Sequence, residues 1–179
     1  MIGSGSASYE LLKSLVTRQR LIPFLPEFNS LCQPIAIRDV IKYLVGVVEA
    51  ADVPCGDYHI GGREIFYYKD LILRFAAILR RKIWFFDIVW IPLPVDLLCR
   101  VYAFWLQFFS PVPVNVTTLL LGSLRSDVVC REEKEIKTLN WDLLGFDTAV
   151  KWALEKETLS QVFSRWSDVP PEGMGDLLP

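Results

Sequence analysis

The chain has 179 residues, enough for one domain with a sizeable core. Its 19 basic and 21 acidic residues nearly cancel, so no long-range field draws it to nucleic acid, and no nucleic-acid role is expected. Apolar residues make up 52%, and the four cysteines follow no C-x-x-C spacing and meet only one histidine, which argues against a metal site and for a reducing, cytoplasmic setting.

In chain order, the first residues are small and polar where a signal peptide would carry a basic and then an apolar region. Ser6 or Ser8 can cap a helix through YELLKSLVTRQ, in which Leu11, Leu12, Leu15 and Val16 recur at helical spacing. LIPFLPEFNSL reads as a proline-punctuated loop able to line a pocket mouth. Pro34 to Ile37 is a short extended run, followed by a helix from Asp39 with Val40, Ile41, Leu44, Val45 and Val48 as its inward face. DYHIGG reads as a strand holding a half-buried, structural His59, and YYKDLILRFAAILRR as a long helix. Lys82 to Leu93 is aromatic and alternating enough for a buried strand.

From Val101 to Leu124 the chain carries no charge, a length that can span a bilayer. Pro111 and Pro113 in its middle favour two shorter core helices instead, with Asn115, Thr117 and Thr118 available as caps. An integral membrane protein is the less favoured alternative, and peripheral membrane contact through this stretch stays open. SDVVCREEKEIKTLNWD is an extended piece and polar loop, and Phe146 to Lys156 a last amphipathic helix. Residues 1–157 therefore form one unit, and residues 158–179 read as a linker or frayed tail rich in proline, glycine and acid. The class is α/β, with too few strands for a complete doubly wound sheet.

Two motifs at the start suggest chemistry. Gly3-Ser-Gly5-Ser-Ala-Ser8 comes within one residue of G-x-G-x-x-G, and Tyr9-Glu-Leu-Leu-Lys13 spells Tyr-x-x-x-Lys. A dinucleotide loop needs a strand before its glycines and an acidic residue ending a strand about twenty residues on. Here only Met1 and Ile2 precede Gly3, Ser8 replaces the third glycine, and LIPFLPEF lies where the acid should be. Without a bound cofactor, Tyr9 and Lys13 are an ordinary helix face.

Four segments in order, IGSGSASYELL, QPIAIRDVIKYLVGVVE, GDYHIGGREIFYYKDLI and SLRSDVVCRE, resemble the carboxy-terminal half of atypical extended short-chain dehydrogenases, the NAD(P)-binding epimerase/dehydratase-like proteins. The resemblance spans roughly residues 1 to 156. It implies a partial Rossmann-like fold, the substrate-side half of such an enzyme with added apolar helices. The family's phosphate loop, ribose-binding acid and catalytic Tyr and Lys have no counterpart here, so no catalytic residue is assigned. Met1 stands where the family is mid-strand, which implies a truncation, a fragment or one piece of a split gene.

By the resemblance, Ile2, Gly3 and Ser4 match the turn facing the nicotinamide of NAD or NADP, and Gln33, Pro34 and Arg38 match the segment lining the substrate pocket. The expected function is the substrate-side part of an NAD(P)-dependent oxidoreductase or epimerase-like protein. It would be inactive alone, need a missing amino-terminal Rossmann half, and act on a small, hydrophobic substrate. The alternative is a non-catalytic binding or assembly module of the same fold, packing on a partner or membrane through its apolar helices.

Overall fold

The computed structural model describes residues 1–25, 28–50, 54–87, 94–130 and 142–159. Within them run α1 (Ala7–Arg18), β1 (Leu21–Phe24), β2 (Leu31–Cys32), α2 (Ile37–Glu49), β3 (Phe66–Tyr67), α3 (Tyr68–Ile78), β4 (Trp84–Asp87), α4 (Val95–Gln107), α5 (Val114–Ser123) and α6 (Phe146–Thr158). β1 pairs in parallel with β4, and β2 antiparallel with β3. Single bridges join Ile2 to Ala36 and Cys32 to Val128, both parallel. The chain is thus mixed α/β and mostly helical, with a small parallel sheet.

α1 forms as its spacing predicts, burying Tyr9, Leu12, Leu15 and Val16. Ser6 holds the N-cap position, but its hydroxyl and that of Ser8 donate to the Met1 carbonyl, at 3.3 and 3.1 Å, and fasten the preceding turn instead of capping a helix amide. The centre of the core is Tyr9, Val16, Ile22, Phe75 and Val150, with the Tyr9 and Phe75 rings edge-on at 5.9 Å. α1 packs on α3, α3 on α6, and α4 along α5.

The structure corrects several expectations. LIPF is a strand, not a loop, because the main chain of Leu21–Phe24 finds Trp84–Asp87 alongside it and Pro23 is tolerated in this two-stranded pair. β4 is mostly exposed instead of buried, since its only described neighbour is β1, and residues 88–93 of the predicted strand lie outside the described residues. DYHIGG forms no named strand; β3 comes later, at Phe66–Tyr67. α3 stops short of Arg80, which takes a left-handed φ of 53°.

α2 departs furthest. It begins at Ile37, two residues early, and its apolar stripe faces outward: Ile41, Leu44 and Val45 are exposed, and Val48 is 86% accessible. The buried side holds Asp39, Tyr43 and Gly46, with half-buried Val40 beside Ile35 and Tyr43. Asp39 fixes that orientation. Its carboxylate is fully buried and accepts the Leu144 amide on Oδ2 at 2.9 Å, a tie to a distant segment that this rotation of the helix provides, while Oδ1 meets Lys42 Nζ of the same helix at 3.3 Å.

The uncharged stretch splits at its prolines as expected. α4 starts at Val95 and ends at Gln107; Ser110 Oγ accepts the Val112 amide at 3.1 Å, and α5 restarts behind Pro113. Pro113, not Asn115 or a threonine, occupies the N-cap; Thr118 donates back to the Val114 carbonyl at 2.8 Å. Among the described residues no helix is long and apolar enough to cross a membrane. α6 runs to Thr158, just past the expected boundary, and residues 160–179 lie outside the described residues.

Candidate functional site

The segment Gln33–Ile37 is a junction for parts of the chain far apart in sequence. Its Ile35 carbonyl accepts the Ile2 amide at 2.7 Å, and the Ile37 amide donates to the Ile2 carbonyl at 2.9 Å. The turn after Ile2 is therefore clamped against the start of α2. Gly3 fits only because it has no side chain: a Cβ there would stand 2.9 Å from Ile37 Cγ2. Gln33 ties in two further segments, donating from Nε2 to the Gly62 carbonyl at 2.7 Å and accepting the Cys130 amide on Oε1 at 2.7 Å. Gly62 lies so close to this junction that a Cβ would fall 1.9 Å from the Pro34 carbonyl oxygen.

Of the residues picked out from the sequence, Ile2, Gly3, Gln33 and Pro34 are thus brought together, with Ser4 half-buried beside them. Arg38 points elsewhere. Its guanidinium stacks 4.7 Å from the centre of the Trp152 ring on α6, a cation–π contact at the surface. The polar groups of Gln33 are both engaged by main chain, so its evident work is to hold the junction. The sequence places Asp39 at the entry to α2 without showing its distant partner, and it gives no sign of Glu64 as an organiser. Glu64 Oε2 accepts the Phe146 amide at 2.8 Å at the start of α6, while Oε1 lies 3.6 Å from Arg74, which also binds Asp147 at 2.8 Å. Nothing local in the sequence marks the partners of these acids, which lie 105 residues from Asp39 and 82 from Glu64.

The opening glycine-serine turn does not by itself fit a dinucleotide. The space at Gly3 is filled by Ile37, and the Ser6 and Ser8 hydroxyls are spent on the Met1 carbonyl. Tyr9 and Lys13 are equally unsuited to reductase chemistry. Tyr9 is fully buried, and burial, reinforced by Glu157 and then Glu10, raises its hydroxyl pKa well above the ordinary value, opposite to what a proton-transferring tyrosine needs. Lys13 forms an ion pair with Glu157 of α6.

An apolar pocket lies elsewhere, against α1. A cavity of about 60 Å³ is walled by side chains of α1, β1, α3, α4 and α5, among them Leu12, Ile22, Phe24, Ile72, Leu106 and Leu121. The LIPF segment does line it, as a strand rather than as a mouth loop. Three hydroxyl-bearing residues touch it. Tyr102 is committed, donating to the Pro23 carbonyl at 2.7 Å, and burial raises its pKa. Tyr68, whose pKa burial and then Cys32 raise, and Ser8, next to the Ile2–Ser4 turn, are the other two. A second, open groove of about 800 Å³ runs over the outer faces of α4 and α5, past Arg100, Phe104 and Leu119.

No protein-family model matches this chain, and no curated protein matches it.

Proposed function

We propose that this chain is the substrate-side, carboxy-terminal part of an NAD(P)-dependent oxidoreductase or epimerase-like protein of Rossmann-like fold. The observation that carries the reading is that the four segments resembling extended short-chain dehydrogenases meet at one place. Gln33–Ile37 of the second segment bridges Ile2 of the first, holds Gly62 of the third and binds Cys130 of the fourth. Such mutual packing suits segments that act as one unit around a pocket. The outward apolar stripe of α2 and the exposed β4 edge supply surface for a preceding half to cover.

On this reading the cofactor is held mainly by that other half, where the glycine loop and the catalytic Tyr-x-x-x-Lys reside, and Ile2–Ser4 only borders it. The nicotinamide would supply hydride transfer. This chain's residues shape the apolar side of the pocket and exclude water from it. Isothermal calorimetry of the isolated chain with NADH and with NADPH tests the division of labour. No stoichiometric binding is expected, and tight one-to-one binding of either nucleotide would overturn it.

A second reading, a non-catalytic module that docks on a partner or membrane, is favoured by one observation: Phe104, Phe108 and Leu119 are 62%, 70% and 76% exposed along α4 and α5. Co-sedimentation with anionic lipid vesicles, abolished by Phe104→Ser with Phe108→Ser, would support it. A chain that stays in the supernatant would argue against membrane docking.

A further inference from the structure

We propose that the cavity behind α1 is a binding site for the short aliphatic end of a ligand, with Ser8 at its polar threshold. The wall is almost wholly hydrocarbon, from Leu11, Leu12 and Leu15 of α1 to Leu120, Leu121 and Leu124 at the end of α5. Cavities with such a wall take up apolar guests, because water inside would find few hydrogen-bond partners. Of the hydroxyls in the wall, that of Tyr102 is engaged by the Pro23 carbonyl, which leaves those of Tyr68 and Ser8 as its polar points.

Size sets the class of guest. An apolar cavity of ~150 Å³ accepts a benzene ring. At about 60 Å³ this one has room for roughly two or three carbon atoms, scaled from that benchmark. It therefore selects a chain end and rejects a ring. Direction follows from Ser8, a wall residue whose hydroxyl makes a solvent-exposed bond to the Met1 carbonyl at 3.1 Å and lies 3.1 Å from Ser6 Oγ. The polar remainder of a ligand would leave the cavity on that side, beside the Ile2–Ser4 turn. Placing a substrate's alkyl end here rests on the functional reading above; uptake of an alkyl group by the chain itself does not.

The test uses this chain alone, without cofactor, so its failure is separable from that of the nucleotide titration. Propane and benzene are titrated separately into methyl-labelled protein, and the Leu12, Ile22 and Leu121 methyl signals are followed by NMR. Propane is expected to shift them saturably and benzene, at equal concentration, to leave them in place. Ser8→Leu, which plugs the threshold, and Leu124→Phe, which adds bulk to the wall, are each expected to weaken propane binding at least tenfold. Benzene binding as well as propane, no saturable propane shift, or plugs without effect in folded variants would each overturn the proposal.

Discussion

Gly62→Ala tests whether the Gln33–Ile37 junction holds the molecule together. The added methyl would lie 1.9 Å from the Pro34 carbonyl oxygen, 2.8 Å from its carbon and 3.2 Å from Ile35 Cα. All three are backbone atoms, so no side chain can rotate aside, and one of the two strands of chain must move. Overpacking of this kind destabilises by about 1–3 kcal/mol or more. Moving Gly62 also withdraws the carbonyl that Gln33 Nε2 binds at 2.7 Å and loosens the grip of Gln33 on the Cys130 amide. Each of those bonds contributes about 0.5–1.5 kcal/mol net. The sum is about 2–6 kcal/mol, a fall in midpoint of roughly 4–24 °C for a chain of this size. Gly122→Ala is the matched control. Its Cβ meets nothing within 4 Å on the exposed side of α5, so replacing glycine in a helix should raise stability by about 0.5–1 kcal/mol. Both are read from thermal melts by circular dichroism. A Gly62→Ala protein that melts with the parent would refute the close contact and, with it, the geometry on which the functional reading stands.

Two further predictions concern titrating groups. Iodoacetamide at pH 8, followed by peptide mass spectrometry, should label exposed Cys55 well before half-buried Cys32. Burial pushes the Cys32 thiol up to about 11, which leaves about one in a thousand ionised at that pH; equal rates at the two sites would contradict the burial. In ultraviolet titration, Tyr9, Tyr68 and Tyr102 should ionise only well above the ordinary tyrosine range, because burial raises all three. Their stabilising contribution is complete below the unfolded value of about 10 and declines as pH rises beyond it, since the unfolded chain ionises first. A tyrosine in the folded chain titrating near neutrality would reopen Tyr9 as a catalytic group.

What the sequence disclosed follows the range of the forces involved. Helices announced by periodicity, and the break at Pro111 and Pro113, were legible because capping, steric exclusion and local spacing act within a turn or two of chain. The β1–β4 pair was not, since nothing within LIPF states that Trp84–Asp87 will lie alongside it. The four resembling segments could be read in order, but not the fact that Gln33 joins the second to the third and fourth, which depends on one amide side chain meeting two distant main-chain groups. Glycines were visible as glycines. Only the folded structure distinguishes Gly62, hemmed in by backbone, from Gly122, beside open space.

α2 shows why a strong local pattern can point the wrong way. Its apolar stripe is as regular as any in the chain, and burying such a stripe normally decides which face turns inward. A buried carboxylate without partners is more costly than several exposed aliphatic side chains, so the Leu144 amide that Asp39 accepts holds the helix by its polar side. The stripe of Ile41, Leu44, Val45 and Val48 is then left to solvent. Hydrophobic periodicity thus reported correctly that this helix has an apolar face. It was silent on whether the cover for that face belongs to the same 179 residues, and the exposed stripe is what the proposed second half of the protein would have to explain.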